Sequence, residues 1–544
     1  MDNFDIVVVG AGSAGCIVTN QIINNTNYKV LLVEAGTSDN NPIIKIPLGY
    51  GMTFFNKKLN WNFYSKKQKN LFNREIYFPR GKVFGGSGSI NAMVYTRGLI
   101  SDYENWGNEV NSLWSWSNIK SAYEAIEKNI SETDKTKIYN KIPVNDVSKL
   151  HHPIIQNFFE ASREIGININ KNLSTNLINQ VGHYNINTRN GYRFTSSDGF
   201  LKPILQSKNL IVLKKSIVKK IILNQKKISE IKITNNGKEI SIKPNIGVIL
   251  CAGSIMTPHL LMHSGIGPAN KLKDVGIDVE LDSPNVGNHL QDHIGMDYLY
   301  KSNVNTLNYL LGRWRGRSAS IIKYLFKRTG PLSLSINQSG GYVNWKSKDK
   351  FPNLQIYFNP ISYSISYHNK RPLLKTDKFN GFAIGFNSCR PKSRGSISLT
   401  TNKFKDFPII DPNYLDHQKD IYDLKCAFDI VRKLSASKHI SDINKGPINI
   451  DPLQLSDEEL INHFKENAHS VYHPCGTCRM DNDIQKGVVS EKLKVHGTQN
   501  LWIADASIFP NITSGNINAP VMMMAYRASQ LIINYLINKK NENY

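Results

Sequence analysis

The chain has 544 residues and a mass of 61.5 kDa, well beyond the roughly 100 to 200 residues of an ordinary domain, so a single small module is excluded and two or more lobes are expected. With 40% hydrophobic and 10% aromatic residues it can build large cores, which excludes a disordered chain. Six cysteines cannot form a disulfide framework, and 67 Lys plus Arg against 43 Asp plus Glu leave a formal net charge of +24 and a pI near 9.5.

The start, Met1-Asp2-Asn3-Phe4-Asp5, offers no basic segment or cleavage site of a secretory leader, and the apolar runs, such as 521–525, fall far short of the roughly 18 residues of a membrane span. A soluble, intracellular protein is expected. The charge admits two readings. Pairs such as Lys214-Lys215, Lys219-Lys220 and Lys226-Lys227 in an Asn-, Ile- and Lys-rich chain read as solvated strand and turn faces. The alternative is a field that attracts polyanions, nucleic acid among them.

The apolar run 4–9 ends at Gly10. A helical stretch over 13–23 follows, and then Lys29-Val30-Leu31-Leu32-Val33, giving strand, glycine turn, helix, strand. In Gly10-Ala11-Gly12-Ser13-Ala14-Gly15 the first glycine permits a tight turn, the second a close approach of backbone to pyrophosphate, and the third close helix–sheet packing. Phosphates would meet the positive end of the helix. Glu34, followed by Ala35, lies 19 residues past Gly15, where a carboxylate can accept from ribose hydroxyls. NAD and FAD share this fingerprint.

Apolar runs at 210–213, 217–223, 230–233 and 247–250 predict a strand-rich centre, with Asn235-Asn236-Gly237 as a hairpin turn. The polar stretches 131–150 and 364–380 read as surface connections. Residues 300–465 read as a second lobe with a sheet, alternation being visible in Leu354-Gln355-Ile356-Tyr357-Phe358, and with a helix over 420–434.

Pro79-Arg80-Gly81-Lys82-Val83-Phe84-Gly85-Gly86-Ser87-Gly88-Ser89-Ile90-Asn91 and Gly253-Ser254-Ile255-Met256-Thr257-Pro258-His259-Leu260-Leu261-Met262-His263-Ser264-Gly265-Ile266-Gly267 closely resemble the two sequence motifs of the glucose-methanol-choline (GMC) oxidoreductases, in particular members of the aryl-alcohol oxidase and choline dehydrogenase types. Further stretches look familial: Val286-Gly287-Asn288-His289-Leu290-Gln291-Asp292-His293, His473-Pro474-Cys475-Gly476-Thr477-Cys478-Arg479-Met480 and Leu501-Trp502-Ile503-Ala504-Asp505-Ala506-Ser507.

The resemblance implies a doubly wound, Rossmann-like α/β domain holding FAD, and an α+β substrate domain with an antiparallel sheet. The FAD domain would comprise 1–45, 76–130, 190–300 and 466–544; the substrate domain and lid would comprise 46–75, 131–189 and 301–465. It also implies cofactor contacts from Gly10, Gly12, Ser13, Ala14, Gly15, Glu34, Ala35, Arg80, Gly86, Asn91, Ala92, Met93 and Val94. Val218 would lie near the adenine, Asp505 and Ala506 near the pyrophosphate or ribityl chain, and Asn516, Ala519 and Val521 at the pyrimidine side. Ile90 occupies a position where some relatives carry a histidine tethered to FAD, which implies a non-covalent, dissociable cofactor. Phe84 stands where a smaller aliphatic is usual.

For the chemistry, the resemblance makes His473 the base that takes an alcohol proton while hydride passes to flavin N5. Asn518 is placed as its partner, holding the substrate oxygen, and Tyr472 as part of an aromatic wall. The substrate expected is a primary alcohol, with a tilt to aryl alcohols, and the partner an electron acceptor, O2 or another. Two rival readings are a hydroxynitrile lyase and a GMC fold kept as a structural, polyanion-binding protein; the composition would suit a virus particle component. Cys475-x-x-Cys478 is read as incidental, no metal being expected. Asp292-His293 and His151-His152 are read as structural, and Trp106, Trp114 and Trp116 as core and lid packing.

Overall fold

The computed structural model describes residues 3–131, 138–170, 173, 178–347, 350–368 and 371–541. Its first sheet is parallel and five-stranded, in the order Leu210–Leu213, Val30–Val33, Ile6–Val9, Gly247–Leu250, Leu501–Ile503. Three of these strands read IVVV, VLLV and GVIL and are buried along their whole length, as a sheet covered on both faces requires. The register is unbroken, with Val9 opposite Val33 on one side and Leu250 on the other. All these strands therefore end together where the glycine turn begins.

The helix Ser13–Asn25 packs on Asn518–Asn541, the two lying 505 residues apart at their N-termini, where Ser13 Oγ donates to Asn518 Oδ1 at 2.8 Å. Beside the parallel sheet, Ser216–Asn224, Lys227–Asn235 and Lys238–Ile242 form an antiparallel sheet. Its second hairpin turns through Asn236 and Gly237, both at positive φ (47° and 82°), the twist that suits the flanking strands.

The second large sheet runs Asn444–Pro447, Ile294–Ser302, Gly381–Ser388, Leu354–Asn359, Ser339–Val343, Gln180–His183, Asn168–Ile169, with His469–Ser470 beside the start of Ile294–Ser302. The helix Gln418–Ala436 covers it. Two expectations change. Within 131–150, Ile142–Asp146 is a mostly buried strand paired with Glu127–Ser131, because Ile142 and Val144 supply a buried edge that the polar composition around them masks; 132–137 lie outside the described residues. Within 364–380, Tyr363–His368 and Arg371–Thr376 pair as a hairpin, residues 369–370 lying outside the description.

Gly15 shows how tightly the turn is set. A Cβ there would sit 1.8 Å from the Gly10 carbonyl oxygen, so helix and strand could not keep their spacing. Gly15→Ala is expected to cost about 3 kcal/mol, read as a lower denaturation midpoint at unchanged slope.

Candidate active site

A cavity of about 750 Å³ runs from Glu34 and Val218, past the start of the helix Ser13–Asn25, to His473 and the floor of the second sheet. Gly10, Gly12, Ser13, Ala14, Ala35, Arg80, Gly86, Asn91, Ala92, Met93, Val94, Asp505, Ala506, Asn516, Asn518, Val521 and Tyr472 line it. Gly15 and Ala519 do not: the former is sandwiched against Gly10, and the latter is buried in the first turn of its helix.

The helix Ser13–Asn25 has no side-chain cap, and its first-turn N–H groups have no acceptor four residues back within the helix. Since Gly12, Ser13 and Ala14 line the cavity, that end forms a ready anion cradle. Gly86 closes on it, and a Cβ on Gly86 would lie 2.8 Å from the Gly12 Cα, so this close approach requires glycine at position 86. Glu34 is buried, its carboxylate accepting from Ala11 N (2.8 Å) and Gly36 N (2.7 Å). Burial outweighs these donors and pushes its pKa up to about 7. Asp505 accepts from Gly253 N, Thr257 Oγ1 and Ser507 N, which locks the end of the fifth parallel strand to the cavity. A phosphate cradle beside a buried carboxylate, continuous with a space lined by Gly86, Ile90 and Asn91, fits an extended flavin dinucleotide.

At the other end, His473 is held from every side. Its backbone N–H donates to Asp292 Oδ1 at 2.7 Å, and Asp292 also accepts from Ser470 Oγ and Tyr414 OH. The preceding Tyr472 adopts a left-handed φ of 69°, its carbonyl accepting from the Arg80 guanidinium at 2.6 Å. His473 Nδ1 lies 2.9 Å from His293 Nδ1, and His293 Nε2 lies 3.0 Å from the Cys389 carbonyl oxygen. Burial lowers the His293 pKa to about 4; burial, then His293 and Arg80, hold that of His473 well below the usual imidazole value.

The residue facing His473 Nε2 is Asn516, whose Nδ2 lies 3.2 Å away. This corrects the pairing with Asn518. Asn518 opens the last helix and turns its side chain back to Ser13 and Gly88, whereas Asn516 lies two residues earlier, in the loop ahead of it. That loop is fixed by Asp102, which accepts from Ser514 N at 2.8 Å. His293, read as structural, is in direct contact with His473. The two histidines are 180 residues apart and meet because Gln291 and Cys475 bridge in antiparallel fashion, a pairing without a local sequence signal.

Tyr472 meets Phe54 edge-on at 5.1 Å, and Trp61, Phe63, Tyr357 and Phe404 also line the cavity. On the sheet floor, Asp297 Oδ1, Asn359 Oδ1 and Asn387 Oδ1 are buried and take no hydrogen bond. Trp106 and Trp114 are core residues, their indole N–H groups donating to the carbonyls of Asn511 and Glu491. Cys475 and Cys478 are buried free thiols whose pKa values burial raises, and no group of three metal-ligating side chains occurs among the described residues.

A dinucleotide cradle joined to the buried His473 and the half-buried Asn516 is the arrangement of a dinucleotide-dependent oxidoreductase. The chain belongs to the GMC oxidoreductase family: that family's N-terminal pattern matches residues 4–295 and its C-terminal pattern 391–525. It is similar to an alcohol dehydrogenase [acceptor] of Pseudomonas putida, 34% identical over 536 residues, covering 97% of this chain and 96% of the relative. An oxygen-dependent choline dehydrogenase of Brucella anthropi is 30% identical over 530 residues, at 97% and 95% coverage. Among solved structures, pyridoxine 4-oxidase from Mesorbium loti superposes with a TM-score of 0.85 at 26% identity, covering 97% of this chain and 99% of that one. The protein is thus an FAD-binding oxidoreductase of GMC fold.

The buried Glu34 gives a test of the cofactor end. Ribose hydroxyls of a bound FAD would donate to it and favour the charged carboxylate, so FAD binding would release a proton and tighten as pH rises through about 7. Titration of apoprotein by quenching of FAD fluorescence should show affinity rising by about tenfold between pH of about 6 and about 8, and Glu34→Gln should flatten the dependence.

Proposed function

We propose that the protein oxidises a primary alcohol, preferably an aryl alcohol, to the aldehyde, using His473 as base, Asn516 to steady the substrate oxygen, and an FAD held without a covalent bond. The observation that supports this most is the chain Cys389 carbonyl, His293, His473, Asn516. A carbonyl only accepts, so the His293 Nε2 that touches it carries the proton. Neutral His293 then offers a lone pair at Nδ1, and His473 Nδ1 must donate to it. His473 Nε2 is left as a bare lone pair on the cavity side, with the Asn516 amide N–H donating to it.

A substrate hydroxyl entering there can give its proton to Nε2, while the Asn516 amide turns to the oxygen as negative charge develops on it. Bound FAD supplies the acceptor for the hydride that leaves the carbinol carbon. Burial, then His293 and Arg80, disfavour the imidazolium form of His473 in the resting site, and the hydrogen-bond chain leaves Nε2 open to the substrate hydroxyl. Ile90 lines the cavity and has no nucleophile to tether the cofactor, so acid precipitation should release all the flavin.

The aromatic wall around Tyr472 supports an aryl substrate, and the three unsatisfied acceptors suit a ring that carries hydroxyl donors. The lyase and structural-protein readings draw no support from the site, and the relatives' names are those of dehydrogenases and an oxidase.

Anaerobic mixing with a panel of benzyl and aliphatic alcohols should bleach the flavin, fastest with ring-hydroxylated benzyl alcohols; no bleaching by any member would refute the proposal. His473→Ala should slow flavin reduction by about a thousandfold. His293→Phe, a positioning change, should lower kcat by about tenfold to a hundredfold with little change in KM, because the tautomer is no longer imposed.

A further inference from the structure

The +24 charge is not consumed by an FAD site and a neutral alcohol, and part of it is gathered on one element. Between Asp297 and Asp349 the sequence contains no acidic residue, while Arg313, Arg315, Arg317, Lys323, Lys327 and Arg328 lie in or beside the helix Trp314–Lys327. Only Ser320 and Tyr324 of this helix are buried, Tyr324 being anchored through its hydroxyl to the Gly191 carbonyl at 2.9 Å.

The outward side is apolar where a solvated helix would be polar. Trp314, Ile321, Ile322, Leu325 and Phe326 are 72%, 49%, 57%, 56% and 84% exposed. Helical spacing places them together, away from the Ser320 and Tyr324 anchor, with Lys323 and Lys327 along one edge of the apolar face. The aromatic and cationic groups are interleaved: Arg315 lies over Trp314 at 5.4 Å, and Arg313 over Tyr309 at 5.3 Å. A patch of this kind on a folded protein marks a surface meant to be covered.

We propose that the helix Trp314–Lys327 docks the protein on an anionic lipid surface, its apolar side chains entering the acyl boundary and its Arg and Lys groups meeting the headgroups. Charge and apolarity together select this occupant. A second copy would set cation against cation. Nucleic acid would satisfy the cations and leave Ile321, Ile322, Leu325 and Phe326 in water. An anionic bilayer satisfies both, in the manner of an amphipathic helix lying flat in the interface. No described helix is long and apolar enough to cross a membrane, so attachment is peripheral. The helix begins three residues after Leu311, which lines the cavity, so the docked face adjoins the substrate end.

The test is co-sedimentation of the FAD-loaded full chain with phosphatidylcholine vesicles, with and without about 30% phosphatidylglycerol. The protein should pellet with the anionic vesicles and not with the neutral ones. The triple variant Trp314→Ser, Ile322→Ser, Phe326→Ser keeps the net charge and should bind at least about tenfold more weakly. Arg315→Glu, Lys323→Glu, Lys327→Glu should abolish binding. Both sets change exposed side chains only, so flavin spectrum and unfolding midpoint should stay put. Absence of binding at low salt, binding to DNA in preference to anionic vesicles, or an apolar variant that binds like the parent would each overturn the proposal, the last by showing adsorption through net charge alone.

Discussion

The site depends on one acceptor that cannot donate. In the proposed chemistry the Cys389 carbonyl, which can only accept, fixes the proton of His293 on Nε2, which in turn fixes that of His473 on Nδ1 and leaves a bare nitrogen toward the cavity. Geometry rather than acidity sets the protonation pattern, since both rings are buried and disfavour the charged form. Asp292 holds the same segment through the backbone N–H of His473 and, as a buried carboxylate, is itself satisfied by Ser470 and Tyr414. Its pKa is pushed up to about 6 by burial, against the pull of those donors.

Everything else positions this chain against the cofactor cradle. The parallel sheet ends where Gly10 to Gly15 turn into a helix, and the last helix of the molecule lies against that first one, bringing Asn516 and Asn518 to the cavity from the far end of the sequence. The second sheet supplies His293, at the mouth of the strand Ile294–Ser302, and the Cys389 carbonyl, just past Gly381–Ser388. The histidine pair and Asn516 therefore meet at a seam between two sheets, and their geometry rests on both.

Much of this was readable in advance. The strand–glycine–helix unit and Glu34 follow from local sequence, because a phosphate-binding turn needs its glycines at fixed offsets. His473 came from the family resemblance. The sequence does not separate Asn516 from Asn518, because both are asparagines in one short segment, and only the start of the last helix decides which side chain turns to Ser13 and which to His473. The contact of His293 with His473 has no local signal in the sequence, because its partner lies 180 residues away. Polar neighbours hide the strand Ile142–Asp146, and which face of Trp314–Lys327 stays uncovered follows from how the helix packs and not from its sequence.

The charge that composition alone could not place divides into scattered lysines on solvated strands and a concentrated helix beside the cavity. The central claim concerns the other end of the cavity, and nitrogen NMR of histidine-labelled holoenzyme near neutral pH addresses it most directly. The account predicts that the His473 signals, assigned by their loss in His473→Ala, show a protonated Nδ1 and a bare Nε2. An imidazolium, or a proton on Nε2, would contradict it.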